Sequence, residues 1–183
     1  FPYTTLFRSH TIQSNKEREM AYVRQATHDA LTGCKNRRAF DSDIAELLNA
    51  QQPFAMALVD IDNFKSINDT LGHLTGDIVL RNVAREGIQI MQPHHVSVYR
   101  YGGEEFAVIF QAEQMSSALS LLEAWRTAVE KRVWREENLH VTFSAGLGEW
   151  HFEPLEQLVG SVDNALYSAK QQGKNRIVRT TVG

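Results

Sequence analysis

The stretch FAMALVDI, residues 54–61, is a continuous apolar run that ends abruptly in a polar, turn-rich segment. An uninterrupted apolar run of strand length is typical of a strand buried on both faces of a sheet. We therefore predict a central strand here, with Asp60 at the point where the strand meets its C-terminal loop. Ligands of open α/β sheets bind at that kind of edge.

A β-hairpin is predicted from RYGGEEFAVIF, residues 100–110, with strands near 96–101 and 106–111. We expect a tight turn at Gly102 and Gly103, because glycine accepts positive φ at little cost. That turn does not require the two adjacent glutamates that follow the glycines. Their like charges need another explanation.

The hairpin tip is expected to bring Glu104 and Glu105 next to Asp60, if the hairpin pairs with the central strand. At ~4 Å and an effective dielectric constant of about 20, each pair of carboxylates repels by roughly 4 kcal/mol, so such a cluster indicates shared protons or a bound cation. All three side chains are hard oxygen donors, which favours Mg²⁺ or Mn²⁺ over zinc. The alternative is a hairpin tip whose acids are simply solvated.

When few carboxylates bind Mg²⁺, phosphate groups of the substrate usually complete its coordination shell. Three lysines are suited to bind such phosphates. Lys65 lies in the loop after the acidic strand, and Lys170 and Lys174 flank the end of the last predicted helix. The sequence has no P-loop and no dinucleotide-binding glycine pattern to bind phosphate in another way. The pattern thus indicates metal-assisted phosphoryl or nucleotidyl transfer.

The purely structural alternatives are Asp60 as a turn cap, Lys65 as a solvated lysine, Asn68 in an Asx turn and Asp77 as a helix N-cap.

The rest of the chain alternates between helical and strand patterns. The predicted helices cover about 36–49, a short segment after the acidic strand, 77–91, 113–136 and 154–172, and further strands cover 139–150 and the residues after Gly173. In the helix predicted over 113–136, the residues expected to face the protein core are Met115, Leu119, Leu122, Trp125 and Val129. The order β-α-α-β-β-α-β-α-β predicts an α/β (α+β) sandwich, a mixed central sheet flanked by helices.

Composition sets the broad class of the protein. The chain has 183 residues, 43% of them hydrophobic, a net charge of −3 and one cysteine, Cys34. This is enough for one domain with a real core, and the single cysteine excludes an internal disulfide framework and suits a reducing cytoplasm. No basic block predicts nucleic-acid binding, and no apolar run of bilayer length predicts membrane contact by this segment.

The N-terminal residues divide into two parts. FPYTTLFRS, residues 1–9, reads as a translated adapter oligonucleotide, so we interpret it as an artefactual leader and expect the natural protein to continue upstream. Residues 10–27 are polar and helix-prone, with a thin apolar seam that predicts a signalling stalk helix or coiled coil. Residues 28–180 then form the predicted catalytic domain.

Five motifs, in order, resemble those of the GGDEF-domain diguanylate cyclases: DALTGCKNRR (29–38), DIDNFKSINDTLGHLTGD (60–77), RYGGEEF (100–106), VTFSAGL (141–147) and DNALYSAKQQGKNRI (163–177). Members of this family condense two GTP into cyclic di-GMP and release two pyrophosphates. Their fold resembles the polymerase palm and the class III nucleotide cyclases. The resemblance implies a cytoplasmic Mg²⁺- or Mn²⁺-dependent enzyme that works as a homodimer, formed through the N-terminal helix or on substrate binding.

The resemblance also implies a role for each matching residue. Asp60, the carbonyl of Ile61, Glu104 and Glu105 would hold the metal. Glu104 would also act as base, with support from Glu105. The implied substrate-binding residues are Phe64, Lys65, Asn68, His73, Asp77, Lys170 and Lys174. Among these, Asn68 and Asp77 match the guanine-reading pair, Lys65 is also assigned to catalysis, and the last two lysines would reach the terminal phosphate.

Two positions depart from the family pattern. Cys34 replaces a leucine that is normally a packing residue, which a buried thiol can substitute. Pro93 and Val96 stand where the inhibitory RxxD motif would have its arginine and aspartate, and we interpret His94 and His95 as part of a solvated loop. Two alternatives to an active cyclase remain: a catalytically silent GTP-binding module, and another nucleotidyl cyclase or polymerase-like enzyme.

Overall fold

A five-stranded mixed sheet forms the centre of the structure, a computed structural model that describes residues 16–180. The strands are β1 (Phe54–Ile61), β2 (Ser97–Arg100), β3 (Glu105–Gln111), β4 (Phe143–Glu149) and β5 (Ile177–Arg179). Their order in the sheet is β2-β3-β1-β4-β5, and only the β4–β5 pair is parallel. The predicted central strand is confirmed, since all eight residues of β1 are buried.

Helices cover both faces of this sheet. Residues 16–27 are helical (α1), and the helices after them are α2 (Arg37–Asn49), α3 (Phe64–Leu71), α4 (His73–Met91), α5 (Ala118–Glu130) and α6 (Leu155–Gln171). Short 3₁₀ turns cover Gln92–His94 and Ala112–Ser117. The predicted order of strands and helices, and the predicted fold class, are confirmed.

Alternate residues of β1 face two separate cores, as the period of two in a strand requires. The odd-numbered residues 55–59 pack in the core built with α4 and α5. The even-numbered residues 54–58 pack in the core built with α2 and α6. Continuing this alternation places Asp60 on the face that α6 covers.

The predicted boundaries of two helices were wrong. Helix α4 begins at His73, not at Asp77, because Gly72 has a φ of 84° and supplies the N-cap. Asp77 therefore lies within the helix, so the helix-cap alternative is also wrong.

The single helix predicted over 113–136 is in fact a 3₁₀ turn followed by α5, which ends at Glu130. Leu122, Trp125 and Val129 are buried as predicted. Met115 is partly buried and packs against the same core, whereas Leu119 is 37% exposed, so only the assignment of Leu119 was wrong. The chain turns back after α5 so that Arg132 reaches Glu86 on α4 at 2.6 Å.

Strand β4 begins at Phe143, later than predicted. The residues before it bind the end of β1, where the N–H of Asp62 donates to the carbonyl of Thr142 at 2.9 Å. Its glycines have a packing role, because a Cβ at Gly146 would overlap the backbone of Val162 and Leu166 on α6.

The predicted stalk helix is helical over its described part, residues 16–27, where Met20 and Val23 are 65% and 58% exposed. The predicted leader, residues 1–9, and the first residues of the stalk lie outside the described residues. Within residues 16–180, no helix is long and apolar enough to cross a membrane.

Candidate active site

The ends of β1 and β3 bring two of the predicted carboxylates together. Asp60 and Glu105 are direct partners in the antiparallel register. Both lie on the α6 face of the sheet, because residues 107 and 109 of β3 pack in the same core as the even-numbered residues of β1. Glu104 immediately precedes β3, and its carbonyl accepts a 3.4 Å hydrogen bond from the N–H of Ile61.

Lys170, near the end of α6, supplies a positive charge to this pair. Its ammonium nitrogen lies 2.9 Å from Oδ1 of Asp60. Burial raises the pKa of Asp60, and the charges of Glu104 and Asp62 add to the rise, although Lys170 opposes it. Burial likewise raises the pKa of Glu105, with further contributions from Asp60 and Glu104. The site therefore carries more negative charge than its lysine compensates.

A divalent cation fits this chemistry. The donors are carboxylate and carbonyl oxygens, which Mg²⁺ and Mn²⁺ prefer, and the excess negative charge favours a hard cation. No three His, Cys, Asp or Glu side chains in the described part of the chain converge as a ready-made metal site. Asp60 instead binds Lys170, so occupancy by a cation would require that ion pair to loosen.

The turn of the hairpin differs from the predicted turn. Its loop spans four residues between Arg100 and Glu105, and neither Gly102 nor Gly103 has a positive φ. The expectation that these glycines adopt a positive φ was therefore wrong. A Cβ at Gly102 would lie 2.8 Å from a carboxylate oxygen of Glu105, whereas a Cβ at Gly103 would meet open space. The backbone conformation therefore requires neither glycine, and the Glu105 side chain lies close to Gly102.

The N-terminus of α3 faces the same edge of the sheet. Its N-cap, Asn63, has a φ of 56° and makes no side-chain capping bond. The first-turn N–H groups of a helix without such a cap suit an anion. Lys174 lies beside them, its ammonium 2.6 Å from Oδ1 of Asn63. Phe64 is buried and Lys65 is exposed, and these two residues form the first turn of α3.

The predicted base-reading residues lie where α3 meets α4. Asn68 and Asp77 are both partly buried, and His73 is exposed at the start of α4. Gly76 is required for the position of Asn68, because a Cβ at Gly76 would overlap the Oδ1 atom of Asn68.

Asp62, two residues beyond Asp60, has a different role from that of its neighbour. It is 5% exposed and accepts hydrogen bonds from the hydroxyls of Thr142 and Ser144 at 2.7 Å. It also accepts one from the backbone N–H of Asn175 at 3.0 Å. Neutral donors therefore satisfy this buried carboxylate, and they join the ends of β1, β4 and the loop after α6.

Sequence reasoning did not identify Arg100 as a site residue. Its Nη1 atom lies 3.1 Å from Oδ1 of Asp29, and its Nε and Nη2 atoms donate to the carbonyl of Gly103 at 3.2 and 2.9 Å. Arg100 thus ties the loop that follows α1 to the turn that carries Glu104. The sequence contained two signals for this contact: an arginine directly before the turn, and an aspartate in the first motif.

The departures from the family pattern are placed as expected. Cys34 is 1% exposed, and burial raises the pKa of its thiol to about 12. His94 and His95 are exposed in the turn before β2, where Pro93 is exposed and Val96 is buried.

The structure is thus an α/β domain in which paired acidic strand ends, two lysines and an uncapped helix N-terminus lie at one edge of the sheet. The family described as "Diguanylate cyclase, GGDEF domain" matches residues 26–176, and the chain belongs to this family. Among curated relatives, the diguanylate cyclase VdcA of Vibrio cholerae is 37% identical over 169 residues, which are 89% of this chain and 50% of the relative. The diguanylate cyclase DgcZ of Escherichia coli is 37% identical over 153 residues, which are 81% of this chain and 51% of that protein. The chain thus spans about half the length of these relatives.

Solved structures show the same fold. The coiled coil and GGDEF domain of DgcB from Caulobacter crescentus, in complex with c-di-GMP, has a TM-score of 0.81 at 33% identity and covers 94% of this chain and 95% of its own. Diguanylate cyclase SiaD of Pseudomonas aeruginosa, in complex with its activator SiaC, has a TM-score of 0.81 at 30% identity, covering 97% of this chain and 70% of its own.

Proposed function

We propose that this chain is the catalytic part of a larger cytoplasmic signalling protein, and that it condenses two GTP into cyclic di-GMP with release of two pyrophosphates. The observation that carries the proposal is the cluster at the sheet edge, where Asp60 faces Glu105 and Lys170 lies 2.9 Å from Asp60. Family membership supports it, since the relatives are diguanylate cyclases.

The first step joins two GTP molecules. The 3′-oxygen of one GTP forms a bond to the α-phosphorus of the other, and the bond from that phosphorus to the pyrophosphate oxygen breaks. The proton of the 3′-hydroxyl goes to Glu104, which we assign as the base, and Glu105 supports it. A second, reciprocal attack closes the ring. A divalent cation held by Asp60, Glu104 and the carbonyl of Ile61 would supply Lewis acidity at the α-phosphate.

The remaining residues bind and orient the substrate. Lys170 and Lys174 are assigned to the terminal phosphate, and Lys65 with the first N–H groups of α3 to the rest of the triphosphate. Asn68 and Asp77 are assigned to the guanine edge, because a carboxylate accepts from guanine N1–H and the exocyclic amine. Adenine presents no such pair of donors. His73 lies at the start of α4, near this pair, and is assigned to substrate binding.

Two copies of the domain must meet, because each site as assigned holds one GTP and each GTP attacks the other. We propose that they associate through α1 or when substrate binds. The exposed Met20 and Val23 of α1 support association through the helix.

Incubation with GTP and Mg²⁺, followed by chromatographic separation of the products, tests the proposal. We expect cyclic di-GMP and pyrophosphate in a 1:2 ratio, as the balanced reaction requires. Glu104→Gln should abolish the product, and Glu113→Gln, a change at an exposed glutamate on the 3₁₀ turn after β3, should not. Binding of GTP without any product would support the silent regulatory module instead. A product from ATP but not GTP would support another nucleotidyl cyclase.

A further inference from the structure

We infer that Asn175 is a positioning residue for the phosphate-binding site: a hydrogen-bonded network from α5 and β1 holds it and thereby fixes where Lys174 points. The inference rests on the proposed function, in which Lys174 contacts the terminal phosphate of GTP. It deepens that proposal by adding a residue that does not itself contact the substrate.

The backbone between α6 and β5 has an unusual conformation. Gly173, Lys174 and Asn175 are three consecutive residues with positive φ, at 114°, 64° and 48°. Left-handed backbone is unfavourable for residues other than glycine, and asparagine tolerates it better than lysine does. Other contacts must therefore hold Lys174 in this conformation.

Asn175 provides those contacts through its side chain. Its Oδ1 atom accepts a hydrogen bond from Nη1 of Arg126 at 2.7 Å, and its Nδ2 atom donates to Oε1 of Glu130 at 2.8 Å. Arg126 and Glu130 pair with each other at 2.9 Å on α5, and the arginine side chain is only 17% exposed. Both polar atoms of the asparagine amide are thus bound to charged groups, which form the stronger class of hydrogen bond.

The backbone of Asn175 provides a further anchor. Its N–H donates to Asp62 at 3.0 Å, and Asp62 is 5% exposed. Removing a hydrogen-bond donor from a buried carboxylate costs free energy, so this bond opposes displacement of the loop. Asn175 is therefore held both by α5 and by the end of the central strand.

The consequence is the position of the neighbouring lysine. The N–H of Lys174 donates to the carbonyl of Ala169 at 3.0 Å, and its ammonium reaches Asn63 at the N-terminus of α3 at 2.6 Å. A lysine side chain has four flexible carbons, so the direction in which its backbone presents it decides which groups it reaches. Anchoring the next residue sets that direction.

The test compares the affinities of GTP and GDP, because only GTP has the terminal phosphate. Lys174→Ala should lower the preference for GTP over GDP. Asn175→Ala should lower it by a similar factor, about tenfold if it removes the benefit of one charge-assisted contact. The double variant should be no worse than the worse single variant, since both changes remove the same interaction. Asn138→Ala is the matched control, because Asn138 is an exposed asparagine with a φ of 63°.

Asn175→Gly separates the side chain from the backbone. Glycine keeps the left-handed conformation at no cost but loses the bonds to Arg126 and Glu130, so we expect the same direction of change in the GTP:GDP ratio. Thermal unfolding of every variant shows whether the fold survives, and the glycine variant keeps the test valid if the alanine variant does not fold.

Several results would overturn the inference: an unchanged GTP:GDP ratio in folded Asn175→Gly, a double variant whose loss is the product of the single losses, or an equal loss in Asn138→Ala.

Nucleotide affinity is measured without turnover. Intact binding with no cyclic di-GMP would therefore overturn only the proposed function, while failure of the wild-type chain to bind GTP would overturn both.

Discussion

Asp60 and Glu105 face each other across neighbouring strands, and burial raises the pKa of both carboxyl groups. A pair of this kind is retained at a cost in stability, because like charges repel most where water is excluded. A cation would remove that cost. Substitutions of these carboxylates therefore test the proposed chemistry directly.

Asp60→Asn is expected to lower cyclic di-GMP formation by a factor on the order of 10² or more, because it removes charge needed to stabilise the transition state. Glu104→Gln should have an effect of the same order. In metal-free buffer Glu104→Gln should not lower the melting temperature, since it reduces carboxylate repulsion, whereas in Asp60→Asn the same relief is offset by loss of the ion pair with Lys170. Product formation and circular dichroism melting are the measurements, with Asp69→Asn, at an exposed aspartate of α3, as the control. Near wild-type turnover by either folded variant would contradict the metal-site assignment.

Asp77→Ala is expected to weaken GTP binding and to reduce selection against ATP. A site that hydrogen-bonds one base edge loses discrimination when a partner is removed, because the wrong base no longer leaves that partner unpaired. The measurement is the ratio of GTP to ATP affinity, with Asp69→Ala as the matched control. An unchanged ratio would show that Asp77 does not read the base.

Asp29 gives a pH-dependent contribution to stability. Burial alone would raise its pKa, but hydrogen bonds from Thr32 and the charge of Arg100 outweigh it and hold the pKa of Asp29 below its usual value. A lowered folded-state pKa means that the unfolded chain takes up the proton first as pH falls. The stabilisation is therefore complete above the ordinary pKa of 3.8 and is lost as pH falls through the lowered one.

Denaturant unfolding of the wild-type chain and Asp29→Asn should show this dependence. The difference between their free energies of unfolding is expected to be greatest at neutral pH and to shrink below pH ~3.8. A difference that stays constant across this range would mean that the pKa of Asp29 is not lowered in the folded protein.

At the scale of elements, the contact of α6 with β4 places Lys170 over the acidic strand ends. Gly146 permits this contact, because a Cβ there would overlap the backbone of α6. Because backbone atoms cannot rotate out of the way as a side chain can, this position should tolerate no added methyl group.

Gly146→Ala is expected to lower the free energy of unfolding by about 1–3 kcal/mol or more, the cost of overpacking a core. Gly160→Ala is the matched control on α6, where an added Cβ meets open space. That change should raise stability by roughly 0.5–1 kcal/mol, because alanine favours the helix. Denaturant unfolding compares the two, and equal effects would contradict the proposed close contact of α6 with β4.

At the level of the whole molecule, the proposed reaction depends on the assembly of two domains. Met20 and Val23 are exposed on α1. After α1, Asp29 pairs with Arg100, and Arg100 donates to the carbonyl of Gly103 in the turn that carries Glu104. Because the proposed reaction requires two sites to face each other, we expect specific activity to rise with protein concentration. Met20→Glu with Val23→Glu should shift that rise to higher concentration, and initial rates over a wide dilution series provide the measurement. Flat specific activity would count against control by assembly.

Feedback inhibition is expected to be weak. Pro93 and Val96 offer neither the bidentate arginine nor the carboxylate of the family's inhibitory site, and Val96 is buried. Initial rates with added cyclic di-GMP test this, and strong inhibition by low-micromolar product would reveal a binding site elsewhere.

Much of the fold follows from local patterns in the sequence. The central strand, the order of strands and helices, and the position of Asp60 at a strand end could be predicted, because a buried strand and an amphipathic helix each leave a periodic signal within a few residues. The carboxylates and lysines could be named for the same reason: their chemistry is a property of the residue type and of its place in the motif.

Other features needed the tertiary structure. The pairing of Asp60 with Glu105, the approach of Lys170 to 2.9 Å, and the anchoring of Asn175 by Arg126 all join residues far apart in the chain. The φ of the glycines in the turn was wrongly predicted because glycine permits a positive φ without imposing it. Local propensity reports what a segment can adopt alone, whereas register, ion pairs and close backbone contacts exist only once distant segments pack together.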